Sequence, residues 1–155
     1  MCELDSVSDK RSLVMRMLMT PEFSNFSGVV HGGHLMRILD QVAYACATRY
    51  CGIDVVTVHA DGISFKNPIP IGSLVTFLSR VNYTGKSSIE VGIKVISEDL
   101  KNKTSIHTNS CYFTMVALDS YGKALEIEKF TPIELEDKRR YEDAKRRKEF
   151  RENKR

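Results

Sequence analysis

The chain has 155 residues, 42% of them hydrophobic and 28% charged, which suits one globular domain and is too apolar for a disordered chain. No run approaches ~18 uncharged apolar residues, so a membrane-spanning helix is excluded. The net charge of +3 comes entirely from the end: residues 134–155 hold ten Lys/Arg against seven Asp/Glu, and the preceding 133 hold thirteen of each, leaving no basic body to grip nucleic acid.

The opening Met1-Cys2-Glu3-Leu4-Asp5 lacks a basic start followed by an apolar run, so no secretory leader is read there, and its early acids disfavour mitochondrial import. Residues 12–19 read as a first strand, broken by Thr20-Pro21, and a polar loop follows through Asn25 and Gly28. After His31-Gly32-Gly33 comes a helical segment, 34–50, apolar on almost every face and closed by Gly52. Residues 55–60 read as a strand that continues through 62–65, across a bulge. The stretches 74–83, 89–97 and 105–118 read as further strands joined by short turns. One buried helix with several antiparallel strands is an α+β arrangement, and a helix apolar all round needs a strongly curved sheet or a second subunit to cover it. Residues 1–133 are thus read as the body and 134–155 as a charged helical tail, lying on the body or projecting from it.

Cys2, Cys46, Cys51 and Cys111 show no CxxC or zinc-ribbon spacing and read as reduced cytosolic thiols. His31, His34, His59 and His107 form no zinc-like grouping. GxSxG, Walker A and GxGxxG are absent, which argues against serine-hydrolase, P-loop and Rossmann chemistry.

Asp40 is the anomaly, a carboxylate among Ile38, Leu39, Val42 and Ala43. Such a group must be paired, set at a cavity or neutral; it is either an ordinary partner of Arg37 one turn earlier or a base or nucleophile facing a cleft. The glycines of His31-Gly32-Gly33 allow close approach to a helix start whose free N–H groups can hold an oxyanion, although a tight strand-to-helix turn gives the same pattern. Asn25 can meet a carbonyl or a water, or simply make its turn. Asp40 lies seven residues beyond Gly33, about 10 Å along a helix axis, so a complementary group should come from elsewhere, plausibly a second copy of the chain.

These features together resemble the hotdog-fold acyl-CoA thioesterases, in particular the cytosolic acyl-CoA hydrolase family. The resemblance is carried by Met19-Thr20-Pro21 through Asn25, Val30-His31-Gly32-Gly33, Leu35 to Asp40, Val56-Thr57-Val58, Ile63-Ser64-Phe65, Gly85-Lys86-Ser87-Ser88 and Phe113-Thr114, across roughly 12–150. It implies an antiparallel sheet wrapped around one long central helix, a cytoplasmic homodimer and, commonly, a trimer of dimers. It implies hydrolysis of medium- to long-chain acyl-CoA, with Asp40 as base or nucleophile and Asn25 of another subunit orienting water or substrate. His31, Gly32 and Gly33 would supply the oxyanion site, and Ser64, Phe65, Lys66, Lys86, Ser87 and Ser88 the coenzyme A contacts. The acyl chain would lie against Met36, Leu39 and Tyr44. No cofactor or metal is implied, since coenzyme A belongs to substrate and product, and neither nucleic acid nor a membrane span enters. The other readings are an acyl-CoA-sensing module without turnover and a phenylacetyl-CoA-type thioesterase. Hydratase chemistry is disfavoured because the histidine nearest Asp40, His34, sits six residues away on another helical face.

Overall fold

The computed structural model describes residues 9–154; Cys2 lies outside them. Five strands form one antiparallel sheet: β1 (Ser12–Leu18), β2 (Val55–Asp61), β3 (Leu74–Thr84), β4 (Ser88–Asp99) and β5 (Thr104–Ala117), in spatial order β1-β3-β4-β5-β2. The central helix α1 (Gly32–Cys51) crosses the inner face and touches every strand. It buries Leu35, Ile38, Leu39, Val42, Ala43, Cys46 and Ala47, spaced three and four apart, against Phe77, Val91, Ile93, Val95, Phe113 and Met115 of the sheet. Gly52, at φ 68°, stops the helix in the left-handed conformation that glycine adopts without a Cβ penalty.

The apolar helix is not covered all round. Arg37, Asp40, Gln41 and Tyr44 form an exposed stripe on the side away from the core. The thiols of Cys46 and Cys111 are buried in that core, and burial pushes them up to about 11 and about 12 respectively, which makes them packing groups rather than nucleophiles.

The strand β2 departs from the sequence reading. Its bulge lies at Val58, between Thr57, which pairs with Met115, and His59, which pairs with Thr114. The strand ends at Asp61, and 62–65 leaves the sheet instead of continuing it, because Gly62 turns the chain at φ 71°.

The charged tail forms α2 (Leu135–Glu152), lying on the outer face of the sheet. Among the described residues it buries only Asp137 and Ala144, and ion pairs fasten it: Asp137 to Arg11 (2.8 Å) and Arg80 (3.1 Å), Arg147 to Glu90 (2.6 Å), and Arg151 to Asp61 (2.6 Å). Between β5 and α2 the chain passes the β3–β4 turn, where Ile127 N–H donates to the Lys86 carbonyl and Phe130 N–H to Thr84 Oγ1.

Candidate active site

Asp40 stands at the middle of α1, beside β2. Thr57 of that strand points to the helix side and its hydroxyl donates to Asp40 Oδ1 at 2.5 Å, which leaves Oδ2 for another partner. The alternative partner, Arg37, makes no ion pair with Asp40 among the described residues. The carboxylate is exposed in the single chain, because the helix presents its bare stripe there. It opens on a recess of about 330 Å³ lined also by Gln41, Tyr44, Val55, Val56, Thr57 and Met115. Of the acyl contacts expected from sequence, Tyr44 lines this recess, whereas Leu39 is 0% exposed and belongs to the core.

Asn25 sits in the loop that precedes α1. Its Oδ1 accepts from Ser27 N–H (2.8 Å) and Val29 N–H (3.2 Å), so the side-chain oxygen holds the loop and the Nδ2 amide remains as the group to offer. Asp40 is eight residues beyond Gly32, about 12 Å up the helix, and among the described residues no hydrogen bond joins it to Asn25.

The helix start differs from the sequence reading in one respect. His31 is the N-cap, and its Nδ1 accepts from Gly33 N–H at 2.9 Å, so that amide is spent inside the protein. A Cβ on Gly33 would come within 3.0 Å of the His31 ring, which is why a glycine stands there. Gly32 N–H has no acceptor among the described residues, and the Phe65 ring lies 3.5 Å from where a Gly32 Cβ would stand. His34 stacks edge-on against Phe23 and His31, each at 5.6 Å between ring centres, and takes no part near Asp40.

The two segments expected to contact coenzyme A are not brought together. Ser64, Phe65 and Lys66 are exposed near the start of α1. The Lys86 turn lies beyond its far end, where Tyr50 of α1 donates to the Glu128 carbonyl of the passing segment. A helix of 20 residues separates them, about 30 Å of length. At the Lys86 turn a recess of about 370 Å³ gathers Lys86, Lys129 and Lys148 around a single carboxylate, Glu126. Ser87 and Ser88 flank this turn without lining it; Ser87 gives its carbonyl to Ala117 N–H and Ser88 Oγ packs against Gly85.

Sequence reasoning missed Thr57, Lys129 and Lys148. A threonine in a strand is ordinary β chemistry, and only the approach of α1 to β2 gives Thr57 a partner. These lysines reach Lys86 from 43 and 62 residues further along the chain, which no local pattern reports. Among the described residues no cluster of three or more metal-ligating side chains occurs.

The sequence profile of the thioesterase superfamily matches residues 27–103. The protein VdlD of Helicobacter pylori is 51% identical over 144 residues, covering 93% of this chain and 82% of that one. A crystal structure of a hexameric acyl-CoA thioesterase superposes with a TM-score of 0.87 at 31% identity, over 92% of both chains. The acyl-CoA hydrolase of Staphylococcus aureus, solved with butyryl coenzyme A and coenzyme A, gives 0.85 at 29% identity over 96% of this chain and 90% of that one. Further structures of that hydrolase carry alanine for an asparagine, an aspartate 15 positions later and a threonine 17 beyond it, the spacing of residues 25, 40 and 57 here. On this agreement of sequence and architecture the chain belongs to the thioesterase superfamily and has its hotdog fold.

Proposed function

We propose that the protein hydrolyses medium- to long-chain acyl-CoA to the fatty acid and free coenzyme A. The observation that carries this is the Asp40 carboxylate, held through one oxygen by Thr57 and open through the other to an apolar-walled recess. Asp40 takes a proton from water as the water oxygen bonds to the thioester carbonyl carbon, and the carbon–sulfur bond then breaks. The carboxylate can instead attack that carbon directly, with water releasing the acyl group afterwards. Coenzyme A leaves as a thiolate, a good leaving group, which is why no serine–histidine pair is required. The Gly32 N–H of the facing protomer, the amide left over at its helix start, stabilises the oxyanion.

Asn25 acts on the Asp40 of another protomer, through the Nδ2 amide that its loop leaves over. The same reasoning gathers the coenzyme A contacts: Phe65, Ser64 and Lys66 from one chain, and Lys86 with Ser87 and Ser88 from the next. Lys129 and Lys148 add charge at that turn, suited to the phosphates of coenzyme A. A homodimer built on the bare stripe of α1 and the edge strand β2 satisfies both pairings, and assembly into a trimer of dimers follows the hexameric relatives.

Thiol release from a panel of acyl-CoAs tests the proposal. Asp40→Asn is expected to lower kcat by at least about 100-fold, with the circular dichroism spectrum of the parent. Wild-type turnover in a well-folded Asp40→Asn protein would refute it.

A further inference from the structure

We propose that Phe26 is a specificity-determining residue whose ring, carried by one protomer, closes the end of the partner's acyl recess and limits acyl length. The assignment rests on the two-protomer site proposed above. Phe26 has a relative exposure of 111%, more open than a residue in an extended chain, so its ring packs on nothing in its own protomer. Loop mobility does not account for this. Asn25 Oδ1 fixes Ser27 N–H and Val29 N–H, Asn25 N–H donates to the Val29 carbonyl, and Gly28 N–H donates to the Asn25 carbonyl. Ser24 bridges to Val30 and Val29 to Pro70, anchoring both shoulders of the turn. A rigid turn that holds an aromatic ring in water is built for a surface that arrives from outside.

The surface that receives it follows from Asn25. Consecutive Cα atoms are about 3.8 Å apart, so a loop that places Asn25 at the partner's Asp40 brings Phe26 there as well. The recess beside Asp40 has apolar walls in Val55, Val56, Met115 and Tyr44 and is open on the side away from its own core. In the loop 24–28, Ser24, Asn25, Ser27 and Gly28 have no apolar side chain to offer. Phe26 is the group that can meet those walls, and a ring set there ends the space available to an acyl chain.

Thiol release measured across saturated acyl-CoAs of increasing length tests this on the intact oligomer. Burial of each CH2 is worth about a fourfold change in kcat/KM, so Phe26→Ala should favour chains two methylenes past the wild-type limit by about 15-fold over short ones. Phe26→Trp should move the limit to shorter chains, and Phe26→Leu, which keeps an apolar anchor should alanine weaken assembly, should shift it to longer ones. Tyr121→Ala, at another exposed aromatic in the turn after β5, should leave the profile unchanged. Length profiles of the Phe26 variants that superimpose on wild type overturn the proposal. Reassembled mixtures of Asn25→Ala and Asp40→Asn subunits separate it from the reading beneath it. Recovered activity in the mixture, together with Phe26 variants whose length profiles do not move, overturns Phe26 alone; a mixture that stays inactive overturns the two-protomer site and Phe26 with it.

Discussion

Each face of the sheet is covered by a helix, and the two are held by different physics. On the inner face α1 buries seven apolar or small side chains against the sheet. On the outer face α2 buries Asp137 and Ala144 and is fastened through Arg11, Arg80, Glu90, Asp61, Arg147 and Arg151. Apolar burial depends on area and is nearly indifferent to salt and pH, whereas ion pairs depend on both. The sheet therefore has one permanent covering and one conditional covering. The catalytic aspartate proposed above stands on the permanent helix, and part of the proposed coenzyme A contact stands on the conditional one.

That contrast breaks first, and by the largest effect, in the core. Leu39→Ala removes a fully buried side chain and is expected to cost about 2–5 kcal/mol in urea unfolding, by an amount that does not change with added salt. A smaller, salt-sensitive loss is expected from Arg147→Ala. Glu90, 3% exposed, then keeps only Asn82 at 3.3 Å, and leaving a buried acceptor without its main partner costs about 1–3 kcal/mol. Equal salt dependence of the two variants would remove the distinction between the coverings.

The mildest effect comes from acid. Burial raises the Asp137 carboxyl, but hydrogen bonds and charge from Arg11 and Arg80 outweigh it and hold the group below its usual value. Its folded value thus lies under the unfolded value of about 3.9, so the stabilisation is complete above that pH and is lost as pH falls through the folded value. Hydrogen exchange followed below pH ~4 should show the α2 amides losing protection before those of α1, and Asp137→Asn should bring this loosening to neutral pH. The exposed pairs of Glu136 with Arg139 and Arg140 show that a shift is not a measure of stability. Those hydrogen bonds pull Glu136 to about 2, yet the group stays in water, where ion pairs contribute little.

The permanent half of the molecule was the legible half. The apolar run through α1 and the short turns between β3, β4 and β5 leave their period in the sequence, and the structure lengthens those elements by only a few residues. Asp40 stood out because a carboxylate interrupts that run. What could not be read depends on pairs made at long range. Asp137 meets Arg11 across 126 positions and Glu90 meets Arg147 across 57, so a charged tail gives no sign of where it will rest. The loss of Gly33 N–H to His31 was hidden for another reason. Histidine is not among the usual capping residues, so the sequence did not reveal that one of the two glycine amides was already committed.

The bulge at Val58 has a consequence for both helices at once. Side chains alternate along a strand, so Thr57, His59 and Asp61 would ordinarily all point the same way. The extra residue inverts the phase: Thr57 stays opposite Met115 on the inner face, while His59 and Asp61 fall opposite Thr114 and Tyr112 on the outer one. A single strand thereby offers its hydroxyl to Asp40 of α1 and its carboxylate to Arg151 of α2. Without the extra residue between them, Thr57 and Asp61 could not serve opposite faces of the sheet, so strand parity here links reactive chemistry to the anchoring of the tail.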